Sequence, residues 1–196
     1  MPKLVDPHQK RAELVAASWA VIAASGLRAA TLRRVAEEAG CTTGQLTHYF
    51  PDRKALLVAA LRAAHSAAGE RMANARAREA TDRKRLRAVL LEALPLDAER
   101  RTEWRVWLAF WAESMNDPDL ADEDGRRYSE WRQLLLELVR PCVGSAQEAR
   151  TQVEYLIALT DGLGLRIARH TGPDAGLEAE QRECRTTLLR FLRRLE

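Results

Sequence analysis

Apolar residues recur every three to four positions along nearly the whole chain, which is the period of an α-helix with one buried face. No segment shows the strict alternation of apolar and polar residues that a half-buried strand requires. A first helix is predicted between Asp6-Pro7, an N-cap followed by a first-turn proline, and Gly26. The pattern therefore predicts an all-α protein.

Turn residues and prolines divide the rest of the chain into further helices. Apart from residues 31–52, these helices are predicted at about 52–76, 83–94, 98–116, 119–141, 145–170 and 177–195. An interruption is expected in the fourth of them, around Asp124-Gly125. Ser145 and Glu148 have the spacing of a capping box at the start of the fifth.

Residues 31–52, TLRRVAEEAGCTTGQLTHYFPD, are predicted to form a helix, a tight turn and a second, shorter helix. Thr31 offers an N-cap hydroxyl, and Gly40 lies where the first helix must end, because glycine takes the left-handed conformation without steric cost. Thr42 restarts the chain, with Gln45 as its capping-box partner. The second helix buries few side chains and exposes many hydrogen-bonding groups. It therefore needs a partner, and the major groove of DNA fits it.

This pattern resembles the amino-terminal domain of the tetracycline-repressor (TetR) family of bacterial transcription regulators. The matching positions are Ser25-Gly26-Leu27, Thr31 through Ala39, Gly40, Gly44-Gln45-Leu46, His48-Tyr49-Phe50, Asp52-Arg53 and Leu56-Leu57. Thr47 departs from the pattern, since most members have tyrosine there. The resemblance implies a three-helix DNA-binding domain over residues 1–52 and a helical effector-binding and dimerisation domain over residues 53–196.

Two classes of DNA contact are expected, phosphate contacts that position the protein and base contacts that specify the sequence. The predicted phosphate contacts are Thr31, Arg33 or Arg34, Tyr49 and Arg53. The predicted base-reading residues are Thr43, Gln45, Thr47 and His48, with Thr42 present mainly as a helix cap. Two alternatives stay open. A Gln45 side chain folded back as a capping partner cannot also reach a base, and His48 can contact phosphate alone.

The net charge of the 196 residues is +3, but this charge is unevenly distributed. Residues 1–62 hold nine Lys/Arg against five Asp/Glu, whereas the remaining residues hold 22 against 23. The positive excess therefore accompanies the helix-turn-helix, as an interaction with DNA phosphates requires. A basic face that is merely solvated gives the same count.

Several other classes of protein are not indicated. Charges interrupt the amino terminus before an apolar run forms, and no segment approaches the ~20 apolar residues of a membrane span, so we expect a cytoplasmic protein without membrane contact. Cys41, Cys142 and Cys184 lack CxxC spacing, which predicts neither a disulfide framework nor a zinc site. We find no GxSxG elbow, phosphate-binding glycine loop or Glu-x-x-His pair, and therefore expect no enzyme, metal or cofactor.

A tryptophan-rich helix is the second informative segment. Trp104, Trp107 and Trp111 lie at i, i+3 and i+7 on one helical face, with Met115 one turn further on. Core packing is the commoner fate of such a stripe, and the alternative is an effector pocket, because an indole N–H needs a partner. The candidate pocket residues are Trp104, Trp107, Trp111, Glu113, Met115, Trp131 and Asp161. They suit a compact apolar or cationic ligand.

Part of this region resembles the carboxy-terminal domain of the choline-responsive betaine repressor subgroup. The resemblance is carried by RVWLAFWAESMNDPDL at residues 105–120, by Asp161-Gly162-Leu163 and by Leu165-Arg166. Gly164 departs from it, since that subgroup tends to have tryptophan there.

Residues 153–167 carry an apolar pattern broader than one helix contact needs, and Gly162 and Gly164 would let another helix approach closely. The alternatives are a buried internal hairpin and a homodimer formed through residues of about 146–195, the arrangement that the TetR family uses. The sequence predicts a repressor that is released from near-palindromic operator DNA by a small-molecule effector. A helical small-molecule-binding or interaction protein without DNA binding is the alternative.

Overall fold

A computed structural model describes residues 6–195 of the chain, and this part consists of α-helices joined by short turns. The helices, numbered α1 to α9, span Pro7–Ser25, Leu32–Glu38, Thr43–Tyr49, Arg53–Ala77, Asp82–Ala93, Ala98–Ser114, Pro118–Val139, Ala146–Ala168 and Asp174–Leu192. Three 3-10 turns, Leu27–Ala29, Arg140–Cys142 and Arg193–Leu195, join or follow them. The prediction of an all-α protein is confirmed. No helix in the described chain is long and apolar enough to cross a bilayer.

Side-chain caps define the helix starts at the predicted places. The Asp6 carboxylate accepts a hydrogen bond from the His8 N–H at 2.9 Å at the start of α1, and Asp52 accepts one from the Ala55 N–H at 2.7 Å at the start of α4. At α8 the Ser145 hydroxyl accepts from the Glu148 N–H at 3.1 Å. The Glu148 carboxylate accepts a hydrogen bond from the N–H of Gly144 and not from that of Ser145. The second hydrogen bond of the predicted capping box therefore lies one residue earlier than predicted.

The expected interruption of α7 at Asp124-Gly125 is wrong, because the helix continues through both residues. A glycine inside a helix costs only about 1 kcal/mol relative to alanine. That cost is outweighed by packing on both sides of it, since Leu120 is buried before it and Leu135 after it. An ion pair at 3.2 Å between Asp124 and Arg127 also spans the turn.

Packing divides the chain into two compact units. The first comprises the residues up to His65 together with Arg105–Glu123, and the second comprises Ser66–Trp104 together with the residues from Asp124 onward. Helices α4, α6 and α7 therefore each contribute residues to both units. The predicted boundary at residues 52 and 53, between a DNA-binding domain and an effector-binding domain, stays a prediction. The two packing units do not divide at that position.

The core of the first unit includes the buried side of the short helix α3. Leu46 and Phe50 are buried in one apolar cluster with Val106 and Phe110 of α6 and Leu120 of α7. Ion pairs also join α4 to the start of α7. Lys54 contacts Asp117 and Asp119, and Arg62 binds both carboxylate oxygens of Glu123. The ends of α6 and α7 nearest this unit are thus part of the packing that supports α3.

The second unit contains a buried ion pair between α4 and α6. The Arg71 guanidinium donates to both carboxylate oxygens of Glu103, at 2.7 and 2.6 Å, and Glu103 is only 1% exposed. Arg100, about one turn before Glu103 in α6, donates a hydrogen bond to the carboxylate of Glu92 in α5 at 3.2 Å. These bonds fix the relative positions of α4, α5 and α6 within the unit.

Trp104 is a core residue of the second unit. It is 4% exposed, and its indole N–H donates to the carbonyl oxygen of Ala93 at 2.8 Å. A β-carbon added at Gly164 would lie 2.7 Å from Cε2 of Trp104, and closer still to Cζ2 and Cη2. Gly164 therefore makes room for a side chain of the same chain, the indole of Trp104, and the homodimer stays a prediction.

The Gly164→Ala substitution should destabilise the protein, because the rigid indole and the α8 backbone must separate to accept the methyl group. A loss of about 1–3 kcal/mol is expected from overpacking of this kind. Gly125→Ala in α7 is the matched control, since nothing lies near its added β-carbon. That variant should be neutral or stabilising by up to ~1 kcal/mol. Urea unfolding of both variants measures the difference, and equal stabilities would contradict the tight fit.

Candidate DNA interface and effector region

Helices α2 and α3 form the predicted helix-turn-helix. The Thr31 hydroxyl caps α2 by accepting from the Arg34 N–H at 3.1 Å. At the other end Gly40 has a φ of +62°, the left-handed conformation that ends the helix, and the Cys41 N–H returns to the Ala36 carbonyl at 2.9 Å. The chain is thereby turned within four residues towards α3.

Both halves of the predicted capping box of α3 are present. The Thr42 hydroxyl accepts from the Gln45 N–H, and Gln45 Oε1 accepts from the Thr42 N–H, each at 3.1 Å. The Gln45 side chain is therefore folded back along the helix in the protein without DNA. To read a base with Oε1, it must first give up this bond.

The exposed face of α3 is centred on Gly44 and His48. Both lie one turn apart on the side of the helix opposite the buried Leu46. Thr47 and Gln45 flank them, and the Thr47 hydroxyl already donates to the Gly44 carbonyl at 3.1 Å. The absence of a side chain at Gly44 leaves the backbone open beside the His48 imidazole, and a β-carbon there would meet only Thr42 Oγ1, at 3.9 Å.

The remaining predicted contacts lie around this face. Thr43 is exposed, and Tyr49 is half-buried with its ring edge-on to His48, the ring centres being 5.3 Å apart. Arg33 and Arg34 share Glu37, at 3.0 and 3.7 Å, and the Arg33 side chain is 85% exposed. Exposed ion pairs of this kind contribute at most about 1 kcal/mol, so a phosphate can replace the carboxylate.

Arg53 has a role that the sequence analysis did not predict. Its Nε donates to the Ala30 carbonyl at 3.0 Å and its Nη2 to the Leu27 carbonyl at 2.6 Å. The guanidinium thus stabilises the turn that precedes α2. This role differs from the contact with DNA phosphate that was predicted for the Arg53 side chain. What remains available to an anion is the start of α4, where the N–H groups of the first turn point outward.

Arg28 is a candidate phosphate contact that the sequence analysis missed. It is exposed on the 3-10 turn before α2 and has no carboxylate partner in the described chain. No sequence motif indicates this contact, since a single arginine in a turn belongs to none. Its position three residues before Thr31 identifies it only once the turn is folded.

The predicted effector residues do not share one environment. Four of them, Trp107, Trp111, Glu113 and Met115, belong to the first unit, and three, Trp104, Trp131 and Asp161, belong to the second. Trp107 packs against the core of the first unit, and Met115 is 80% exposed beyond the end of α6. Of the three in the second unit, Trp104 has the packing role that the sequence had left open.

Asp161 is the chemically distinctive member of this set. The Tyr128 hydroxyl donates a hydrogen bond to its carboxylate, and no lysine or arginine in the described chain pairs with it. Burial, together with the charge of Asp124, raises the pKa of Asp161 despite that hydrogen bond. The nearby Asp124 is paired with Arg127, so one negative charge in this part of the second unit has no cationic partner.

Two family models of known proteins match most of the chain. Residues 14–60 match the family model of bacterial regulatory proteins of the tetR family, and residues 82–195 match that of the carboxy-terminal domain of BetI-type transcriptional repressors. The second match alone spans more than half of the described residues. The chain belongs to the TetR family.

Curated relatives agree with this assignment to the TetR family. The transcriptional regulator BetI of Paraburkholderia phytofirmans is 38% identical over 175 residues, which cover 86% of each chain. The transcriptional regulator PksA of Bacillus subtilis is 32% identical over 168 residues, covering 84% of this chain and 82% of PksA. The protein is therefore a helix-turn-helix transcriptional regulator.

Solved structures show the same TetR fold. A transcriptional regulator of Saccharomonospora viridis, solved in complex with choline, superposes with a TM-score of 0.83 at 27% identity and covers 95% of this chain and 96% of its own. A regulator of Rhodococcus sp. Rha1 gives a TM-score of 0.77 at 28% identity, with 92% and 96% covered. The predicted combination of a helix-turn-helix with a helical carboxy-terminal domain is confirmed.

The Gly44→Ala substitution should separate folding from DNA binding. Because the added methyl group meets only Thr42 Oγ1, at an ordinary contact distance of 3.9 Å, the free protein should be as stable as before, or more stable by about 0.5–1 kcal/mol. A methyl group at the centre of the exposed face should nevertheless obstruct a DNA groove, and operator affinity should fall. Gly69→Ala in α4, where the added methyl group meets open space, is the control and should leave operator affinity unchanged. Unaltered operator binding by Gly44→Ala would place the DNA elsewhere.

Proposed function

We propose that this TetR regulator is a cytoplasmic repressor that binds a near-palindromic operator as a homodimer and is released by a small organic cation. The observation that carries the proposal is Asp161, a carboxylate removed in part from water and, among residues 6–195, bonded to one neutral hydroxyl and no cation. An ionised group in such a place lowers stability until a cation compensates it. Perturbed groups of this kind are concentrated at functional sites.

The aromatic residues near Asp161 support a cationic ligand. Tyr128 and Trp131 lie at i and i+3 on α7, so both project from one side of that helix, and Trp131 is half-buried. A carboxylate beside aromatic faces is the combination that binds quaternary ammonium groups, through charge and cation–π attraction. The choline found in the Saccharomonospora viridis regulator is a molecule of this class. We take choline as the first candidate ligand.

The surface of α8 supports the homodimer. Its exposed residues Thr151, Tyr155, Ala158, Gly162 and Leu165 follow one another at alternating steps of four and three. This is the spacing of a seam between two packed helices. Tyr155 is 56% exposed and Leu165 is 44% exposed, although both are large hydrophobic residues. A two-fold dimer also places the two copies of α3 to face successive turns of DNA, about 34–36 Å apart.

The continuity of α7 supports a link between effector and operator. Leu120, near its start, is buried in the cluster that holds Leu46 of α3, and Tyr128 lies eight residues later, roughly 12 Å along the helix. A cation that changes the Tyr128–Asp161 bond therefore acts on α7. The start of that helix shares an apolar cluster with Leu46 of α3. Because linkage is reciprocal, operator DNA must weaken effector binding by the same factor.

The dimer is tested by replacing Ala158 with arginine, which would put a long charged side chain into the centre of the seam. Sedimentation of the parent protein at micromolar concentration should give twice the chain mass of 22.1 kDa, and Ala158→Arg should shift it towards the monomer. Ala112→Arg, an exposed alanine on α6, is the control and should stay dimeric. A monomeric parent, or a fully dimeric Ala158→Arg variant, would contradict this seam.

The effector site is tested with Asp161→Asn, which removes the charge but keeps an oxygen for the Tyr128 hydroxyl. Choline affinity should fall on the order of 10–100-fold, the value of one charge-assisted contact, while operator affinity without choline is retained. The variant should also be more stable than the parent at neutral pH. The folded-state pKa of Asp161 is raised, so the parent loses stability as the pH rises through that pKa and the asparagine variant does not. Asp122→Asn, exposed on α7, is the control, and equal choline binding by Asp161→Asn would refute the site.

A further inference from the structure

A cleft lies entirely within the second unit, where the start of α5 and the end of α9 meet the 3-10 turn Arg140–Cys142. Its volume is about 250 Å³. Leucine side chains line it from two helices, Leu86 of α5 being fully buried and Leu189 and Leu192 of α9 half-buried. The thiol of Cys142 completes this part of the lining.

The polar lining of the cleft is entirely cationic. It consists of Arg83, Lys84 and Arg87 on α5 and Arg193 after α9, and all four are exposed. Within the described chain none of these side chains forms an ion pair. Asp82, the acidic residue of the same turn, is bonded to Arg85 at 3.0 Å.

Clustering of such side chains distinguishes the cleft from the rest of the second unit. Elsewhere in the described part of that unit Arg169 and Arg190 also form no ion pair, whereas Arg71, Arg100 and Arg132 are paired with carboxylates within 3.2 Å. Four unpaired charges of one sign around a single cleft repel one another and concentrate a positive potential there. An anion is the occupant that this potential favours.

The leucines restrict the kind of anion. A free inorganic ion would leave the apolar wall uncovered, whereas an aliphatic chain would bury it at a gain of roughly 25 cal/mol per Å². The volume lies just below the ~300–1,000 Å³ of pockets for drug-sized ligands, so the chain must be short. The cationic side chains therefore favour an anionic head group, and the leucines favour a short aliphatic chain attached to it.

We propose that this cleft binds a small anionic amphiphile, a carboxylate or phosphate monoester whose head group contacts the arginines and whose aliphatic chain lies on the leucines. The site is independent of the proposed effector site, since Asp161 selects the opposite charge. The two ligands can therefore be tested separately on one protein.

Titration calorimetry of the full-length protein tests the proposal with octanoate and with octyl phosphate, both kept below the concentrations at which they form micelles. At least one of them should bind with a 1:1 stoichiometry per chain, and the tighter of the two identifies the head group. Acetate tests the head without the chain, and octyltrimethylammonium tests the chain with the opposite charge. Both should bind at least tenfold more weakly.

The location is tested by alkylation of cysteines followed by mass spectrometry. Burial raises the pKa of the Cys142 thiol, so the reaction is run near pH 9 to supply thiolate. Bound octanoate or octyl phosphate should slow alkylation of Cys142, whereas Cys41, in the first unit, should react at its former rate and so report any change in the reagent.

A double variant, Arg87→Gln with Arg193→Gln, should weaken binding of the anionic amphiphile tenfold or more and abolish the protection of Cys142. Both side chains are exposed, so the fold is retained, which circular dichroism verifies. Arg190→Gln makes a similar charge change on α9 outside the cleft and should bind as the parent does. Unchanged binding by the double variant, equal binding of octyltrimethylammonium, or binding to anionic vesicles but to neither monomeric amphiphile would overturn the proposal.

Discussion

A seven-residue helix has almost no stability of its own in water, because the cost of nucleating a helix exceeds what so few hydrogen bonds return. The position of α3 therefore depends on the burial of Leu46 and Phe50. Those two side chains lie in a cluster completed by Val106, Phe110 and Leu120, residues far along the chain. The surface offered to DNA is thus held by the same packing that holds the ends of α6 and α7. A change in either helix therefore alters the cluster in which α3 is anchored.

Local chemistry was predictable wherever its cause lies within a few residues. The caps at Asp6, Thr31 and Thr42 follow from side-chain oxygens that reach N–H groups two or three positions later, and a sequence shows that spacing directly. Glycine at position 40 is equally local, since only the backbone of the turn decides it. The error at Asp124-Gly125 has the opposite origin, because a weak local preference was outweighed by burial of leucines on either side of it.

Contacts between distant residues could not be predicted in the same way. Nothing in the sequence joins Trp104 to Gly164, sixty positions apart, and the glycine alone indicated a close neighbour without saying which residue it is. Likewise Arg53 had the position and charge of a phosphate contact, and only the folded turn reveals the two carbonyls that bind it. The candidate DNA surface was therefore largely predictable, whereas the candidate effector region was predictable in composition but not in arrangement.

The reciprocal cap of α3 affects how Gln45 discriminates among operators. Its Oε1 atom is already bonded to the Thr42 N–H, so any base that recruits it exchanges one hydrogen bond for another. Such an exchange returns only part of the energy of a new bond, and it unravels the first turn of the helix slightly. The side chain's amide N–H₂ group, by contrast, can donate to a base without that exchange. The cap would thereby bias Gln45 towards bases that present an acceptor, and the fidelity of recognition would vary with the strength of a bond that DNA never touches.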